Sequence, residues 1–205
     1  LFAVIPAAGV SRRMGQPKLM LPLGDRTVIR RLLDVLDRPE VAARVVVMRP
    51  DDAPLRAEVE AANATVIQPE MPPPDMRTSV QHAIDAIAAR HAPQPDDGWL
   101  LIPADHPVLD VDVLDQLVRS WQASDANILL PEHAGKRGHP TFFRWRLAEE
   151  VRTIPEDRGL NHLVAAHAAE IETVAVDTPA VLTDLDTPED YERLLRSFEA
   201  GECGE

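Results

Sequence analysis

The chain has 205 residues, 45% of them apolar and 27% charged, which suits a globular domain and excludes wholesale disorder. Its net charge of −13 argues against non-specific nucleic-acid binding, which needs cations to replace phosphate counterions. The lone Cys203 excludes an internal disulfide and a cysteine-based metal centre.

The elements alternate along the chain. Phe2-Ala3-Val4-Ile5 is a continuous apolar run, as expected of a strand buried on both faces of a parallel sheet. Residues 27–38 predict a helix, with Val28, Ile29, Leu32, Leu33 and Leu36 on one side. Strands are expected at 45–48 and 65–67, flanking an Ala- and Glu-rich helix at 53–62. Residues 69–75, with four prolines, form a stiff loop. A helix over 77–91, a strand at 99–102, a helix carrying Leu114, Leu117, Val118 and Trp121, and a strand at 127–130 follow. Residues 132–138 read as a loop. Strands at 141–143 and 171–176 surround a helix near 160–169, and a helix at 188–198 closes the chain behind the start signal Asp186-Thr187-Pro188-Glu189-Asp190. Such alternation predicts a three-layer α/β/α fold with a mostly parallel mixed sheet. We expect a single domain over 1–199 and a flexible tail at 200–205.

The charge is unevenly spread. Residues 1–31 carry Arg12, Arg13, Lys18, Arg26, Arg30 and Arg31 against Asp25 alone, so a basic stretch precedes an acidic body. That contrast suits a small anionic ligand better than a long polyanion. No apolar run approaches the ~20 residues needed to cross a bilayer. Residues 1–5 lack the basic flank of a secretory leader. A cytoplasmic protein without membrane contact is therefore expected.

Four segments carry chemistry. The first runs from Ala7 to Lys18, between a buried strand and a helix, where ligands bind in open α/β sheets. Ala8 and Gly9 let backbone N–H groups approach phosphate oxygens, and Ser11, Arg13 and Lys18 add a hydroxyl and two cations. The spacing fits neither a Walker A loop nor G-x-G-x-x-G. In the second, an apolar strand ends at Asp105, a candidate Mg²⁺ ligand or an ordinary turn residue, followed by His106 and Pro107. In the third, Asp184 and Asp186 flank Leu185. If this is a strand end, both carboxylates point the same way. One is a candidate second metal ligand, although Asp186 equally suits the helix cap. In the fourth, Lys136 and Arg137 lie between glycines, either meeting an acceptor phosphate or forming a solvated hairpin tip.

Ala7-Ala8-Gly9-Val10-Ser11-Arg12-Arg13-Met14-Gly15-Gln16-Pro17-Lys18 resembles the A-A-G-x-S-x-R-M-G-x-x-K signature of the molybdenum cofactor cytidylyltransferases. Thr78-Ser79-Val80, Ala104-Asp105-His106-Pro107, Gly138-His139-Pro140 and Asp184-Leu185-Asp186-Thr187-Pro188-Glu189-Asp190 resemble that family's later motifs, in the same order. The resemblance implies a Rossmann-like nucleotide-binding fold and transfer of CMP from CTP to the terminal phosphate of molybdopterin, with release of pyrophosphate. It implies that Gly9, Arg13 and Lys18 hold the triphosphate and that Ala7 and Ala8 lie near the base. Ser11, Thr78 and Ser79 would also contact the nucleotide. Arg13, Lys18 and Asp105 would be catalytic, Asp105 and Asp186 would hold Mg²⁺, and His139, Lys136 and Arg137 would meet the acceptor. Guanylyl-transferring relatives carry a second glycine where this chain has Ala8, which favours CTP. Two further expectations stand beside this one: the same chemistry on a sugar or polyol phosphate, and a non-catalytic delivery protein that docks an apo-molybdenum hydroxylase.

Overall fold

The computed structural model describes residues 1–106 and 110–199. The expected tail, including Cys203, and Pro107 lie outside those residues. In chain order the elements are β1 (Phe2–Pro6), the hairpin β2 (Pro22–Leu23) and β3 (Arg26–Thr27), α1 (Val28–Val35), β4 (Ala43–Val47), α2 (Ala53–Ala61), β5 (Thr65–Ile67), α3 (Met76–His91) and β6 (Gly98–Leu101). Then come α4 (Val111–Ala123), β7 (Ile128–His133), β8 (Lys136–Arg137), β9 (Thr141–Arg144), α5 (Asn161–Ala166), β10 (Ile171–Ala175) and α6 (Pro188–Glu199). Among the described residues, no helix is long and apolar enough to cross a membrane.

The main sheet runs β10-β7-β9-β6-β1-β4-β5, with β8 paired to β7. Strands β1, β4, β5 and β6 are parallel, while β9 runs antiparallel to both β6 and β7. Successive residues of β1 feed opposite faces, as the period of two requires. Ala3 and Ile5 join a core with residues of α1, α2, α4 and α6, whereas Phe2 and Val4 join one with residues of α3 and α5. The sheet is therefore the middle of three layers, and its central strands read as uninterrupted apolar runs because both faces are covered.

From β1 the chain builds outward through β4 and β5, then returns to place β6 on the other flank of β1. The strand order reverses between β1 and β6, and ligands in open α/β sheets bind beyond the carboxyl ends at such a point. The loop 7–17 and the turn 102–106 emerge there.

Three expectations change. Residues 132–138 are not a loop: β7 continues to His133 and turns at Ala134 and Gly135, both with positive φ (49° and 76°), to return as β8. Positive φ at both central residues matches the twist of a tight hairpin. The helix near 160–169 is shorter, with a 3₁₀ turn at Ala168–Glu170. Residues 183–186 are irregular rather than a strand end, with consequences at the site.

Candidate active site beyond β1 and β6

Past β1 the chain continues its sheet pairing for one residue, through the Ala7 N–H to the Val47 carbonyl (2.8 Å), and then leaves the sheet. The loop turns on Ser11 (φ 48°) and Gly15 (φ 71°), and the Gly15 N–H donates to the Ser11 carbonyl (3.1 Å). Met14 is buried as its apolar anchor, while Gly9, Arg12 and Arg13 are exposed. A Cβ placed on Gly9 would meet nothing within 4 Å. The protein's own packing therefore does not require glycine there, and the space in front of it is open. The Ser11 hydroxyl accepts from the Lys18 N–H (3.4 Å), at the start of a 3₁₀ turn.

Lys18 is the centre of the site. Its side chain is only 11% exposed, and Nζ lies 2.7 Å from Asp105 Oδ2 and 3.0 Å from Asp186 Oδ1. Burial alone would lower the ammonium pKa, but the two carboxylates, Asp105 ahead of Asp186, outweigh it and hold Lys18 above its usual range. Arg13, largely solvent-exposed, donates to Asp186 Oδ2 at 2.8 Å. Pro6, Ala7, Gly9, Ser11, Arg13, Lys18, Asp105 and Asp186 all border one open cavity of about 350 Å³. A second cavity of about 410 Å³ shares the loop and adds Gln16, Arg49 and Asp52.

The carboxylate side is tied together by the fold. The Ala104 N–H donates to the Pro6 carbonyl (3.1 Å), and the Leu185 N–H donates to the Asp105 carbonyl (2.9 Å). Helix α6 does not use Asp186 as its cap. Instead the Asp190 N–H donates to the Thr187 hydroxyl (3.2 Å), and Asp190 Oδ2 accepts from the N–H groups of Asp186 (3.2 Å) and Thr187 (2.9 Å). This is a capping box with aspartate as the acid, and it leaves the Asp186 carboxylate free to face Lys18. Asp184 does not point the same way: its Oδ1 lies 2.9 Å from His106 Nε2, and that hydrogen bond holds its pKa below the ordinary aspartate value. The expectation of two co-directed carboxylates fails because 183–186 lacks strand geometry.

His106 is buried and meets the His139 ring edge-on at 4.8 Å between centroids. Burial, and secondarily His106, push the His139 imidazole down to about 4. The His139 N–H donates to the Val181 carbonyl (2.9 Å). Gly138 approaches Val181 so closely that a Cβ there would lie 2.2 Å from its carbonyl oxygen.

Other candidates sit elsewhere. Lys136 and Arg137 are exposed on β8 and border neither cavity. Thr78 and Ser79 occupy the first turn of α3. There the Thr78 N–H donates to Asp75 Oδ1 (2.7 Å), and the buried Ser79 hydroxyl donates to the Asp75 carbonyl (3.2 Å). Arg49 and Asp52, which follow β4, border the second cavity. Charge placed directly after a buried strand was the available signal. The His106–Asp184 contact had no signal, because the two residues are far apart in the chain.

Asp105 and Asp186 offer hard oxygen donors from two different loops, with one cation already between them. Among the described residues no group of three or more potential metal ligands exists. That donor set fits a divalent cation whose remaining ligands come from phosphate and water, which is how Mg²⁺ is usually held.

Residues 3–173 match the family described as the MobA-like NTP transferase domain. The molybdenum cofactor cytidylyltransferase of Escherichia coli (strain K12) is 25% identical over 191 residues, covering 92% of each chain. The molybdenum cofactor guanylyltransferase of Rhizobium meliloti (strain 1021) is 29% identical over 210 residues, covering 97% of this chain and 90% of that one. The crystal structure of Rv0371c from Mycobacterium tuberculosis H37Rv in complex with manganese superposes with a TM-score of 0.75 at 27% identity, covering 96% and 98% of the two chains. The site therefore stands at the switch point of a nucleotidyltransferase sheet, and this chain belongs to the MobA-like NTP transferase family.

Proposed function

We propose that the protein transfers CMP from CTP to the terminal phosphate of a molybdopterin-type acceptor and releases pyrophosphate. The observation that carries the chemistry is the convergence of Lys18, Arg13, Asp105 and Asp186 on one cavity beyond β1 and β6. The open space before Gly9 lets backbone approach a triphosphate, and Lys18 and Arg13 neutralise it. An acceptor phosphate oxygen attacks the α-phosphorus, the bond to the β-phosphate breaks, and pyrophosphate leaves with the electron pair. Such a transfer rests on alignment and charge neutralisation rather than on a protein nucleophile. Lys18 contributes by exchanging a carboxylate for phosphate oxygens as the nucleotide enters.

Asp105 and Asp186 would hold a divalent cation, Mg²⁺ or Mn²⁺, which when bound offsets charge developing on the phosphates. The manganese bound by the relative Rv0371c supports a divalent metal. Ala8 in place of a second glycine favours CTP, as does likeness to the cytidylyltransferase of E. coli, although a guanylyltransferase resembles the chain over a similar span. Lys136 and Arg137, on the hairpin that leads to His139, supply positive charge for the acceptor.

A thermal-shift panel of CTP, GTP, ATP and UTP, each with and without Mg²⁺ or Mn²⁺, tests this reading. A ligand at 100 times its dissociation constant adds about 2.7 kcal/mol of stability. The expected result is a metal-dependent rise in Tm that is largest for CTP. A larger rise with GTP would overturn the choice of nucleotide. No rise with any nucleotide would overturn the transferase reading and favour a delivery protein.

A further inference from the structure

We propose that His106 and Asp184 form a positioning pair that sets the spacing of Asp105 and Asp186 without either residue touching metal or nucleotide. The proposal rests on the reading of Asp105 and Asp186 as the carboxylates that hold the cation.

The argument starts from what holds those two carboxylates now. Both are drawn together by the Lys18 ammonium, and Asp186 also by Arg13. Once these cations turn to a triphosphate, two like charges face each other and only the frame behind them fixes their distance. That frame consists of few ties. The backbone of Asp186 is held from the α6 side by Asp190. Across the gap, the Leu185 N–H reaches the Asp105 carbonyl, and the Asp184 carboxylate reaches the His106 ring. Both bridges join the Asp186 side to the Asp105 side: one runs from Leu185, next to Asp186, to the backbone of Asp105, and the other from Asp184, two residues before Asp186, to His106, next to Asp105.

The pair also has the asymmetry that anchoring requires. His106 is the fixed end, with its side chain 8% exposed and wedged against His139. His139 is itself tied to Val181 through its N–H, in the segment that leads to Asp184. Asp184 is the free end, 58% exposed, and among the described residues His106 is the side chain it hydrogen-bonds. A carboxylate committed to His106 is also poorly placed as a metal ligand, and Asp184 does not border the cavity that Asp186 lines. The histidine immediately after Asp105 and the aspartate two residues before Asp186 thus acquire a shared task. Partners of this kind typically change metal affinity by ~10–100-fold when removed.

The test counts bound Mn²⁺ by the loss of its free EPR signal, with and without CTP, in the full chain. The variants are Asp184→Asn, Asp184→Ala, His106→Ala, His106→Gln and Asp186→Ala, with thermal melts for each. Asparagine keeps an oxygen that accepts from His106, and glutamine keeps a nitrogen that donates to Asp184. Both should stay within about threefold of the unaltered protein in Mn²⁺ affinity. The alanine variants at 184 and 106 should lose ~10-fold or more in Mn²⁺ affinity with CTP present. In turnover, the Mn²⁺ concentration for half-maximal rate should rise while kcat at saturating Mn²⁺ changes little. CTP binding without metal should be unaffected. Asp184→Asn as damaging as Asp184→Ala would make Asp184 a direct ligand and overturn the pair. A harmless Asp184→Ala beside a damaging Asp186→Ala would overturn the pair alone. A harmless Asp186→Ala would overturn the carboxylate reading and the pair with it.

Discussion

The loop that follows β1 and the segment that leads into α6 face each other across one cleft, but they are held in different ways. Within residues 8–17 one backbone bond, from the Gly15 N–H to the Ser11 carbonyl, spans the loop, and the arginines stand in solvent. Residues 181–187 are tied to His139, Asp105, His106 and Asp190 in turn. The difference matches the task that the proposed function gives each side. A polyanion that must enter and leave is met by cations on a lightly tied loop, which opens at little free-energy cost. A small cation needs oxygens at a fixed separation, and the carboxylates proposed to hold it sit on a braced frame.

The largest effect should come from attacking the frame's chemistry. Asp105→Ala is expected to reduce metal-dependent turnover by ~10²–10³-fold, as losing one preorganised electrostatic group does elsewhere. A steady-state kcat within twofold of the unaltered enzyme would remove Asp105 from the mechanism. Next comes a matched pair of glycine substitutions. Gly138→Ala forces a Cβ onto the Val181 carbonyl and should cost ~1–3 kcal/mol, roughly 2–4 °C in Tm per kcal/mol. Gly9→Ala meets no neighbour, so it should keep its Tm and lose nucleotide affinity instead. Equal melting of both variants would erase the contrast between frame and loop.

Lys18→Ala should weaken CTP by ~10–100-fold, the range for a lost charge-assisted bond, and CMP much less. Calorimetric titration showing equal losses for both would place Lys18 away from the β- and γ-phosphates.

A smaller effect concerns pH. The His139 imidazole stays neutral in the fold down to about pH 4, whereas the unfolded chain takes up that proton near 6.5. Between those values the unfolded state binds more protons, so stability falls as pH drops from 6.5 toward 4 and is unaffected above 6.5. His139→Gln should flatten that part of the Tm–pH curve, and an unchanged slope would assign the fall to other groups. The smallest effect is expected of Arg13→Ala: an ion pair this exposed contributes at most about 1 kcal/mol, so chemical denaturation should barely shift while nucleotide binding weakens.

Much of the architecture was legible in the sequence. Strands β1, β4 and β6 stand out because burial on both faces demands unbroken apolar runs, and α1 and α4 show their inward stripes at helical spacing. The hairpin β2–β3 and strand β8 were not legible. They are two residues long, and β8 consists of exposed Lys136 and Arg137, so no apolar period marks it. Candidate residues Ala7, Gly9, Ser11, Arg13, Lys18, Asp105 and Asp186 were all nameable from the sequence, and the sheet brings them to one cavity. Ala8, Thr78, Ser79, Lys136, Arg137 and His139 were equally nameable but border neither cavity of the loop.

What the sequence determined by itself is therefore the order of the main strands and helices, the basic loop after β1 and a short list of carboxylates. Burial pattern and turn chemistry are local, so they are written in neighbouring residues. The tertiary structure alone separated the surroundings of Asp184 from those of Asp186. Lys18 meets Asp105 across 87 residues and Asp186 across 168. The direction of each carboxylate goes with the distant partner it meets: His106 for one, Lys18 for the other, with Thr187 and Asp190 relieving Asp186 of the cap.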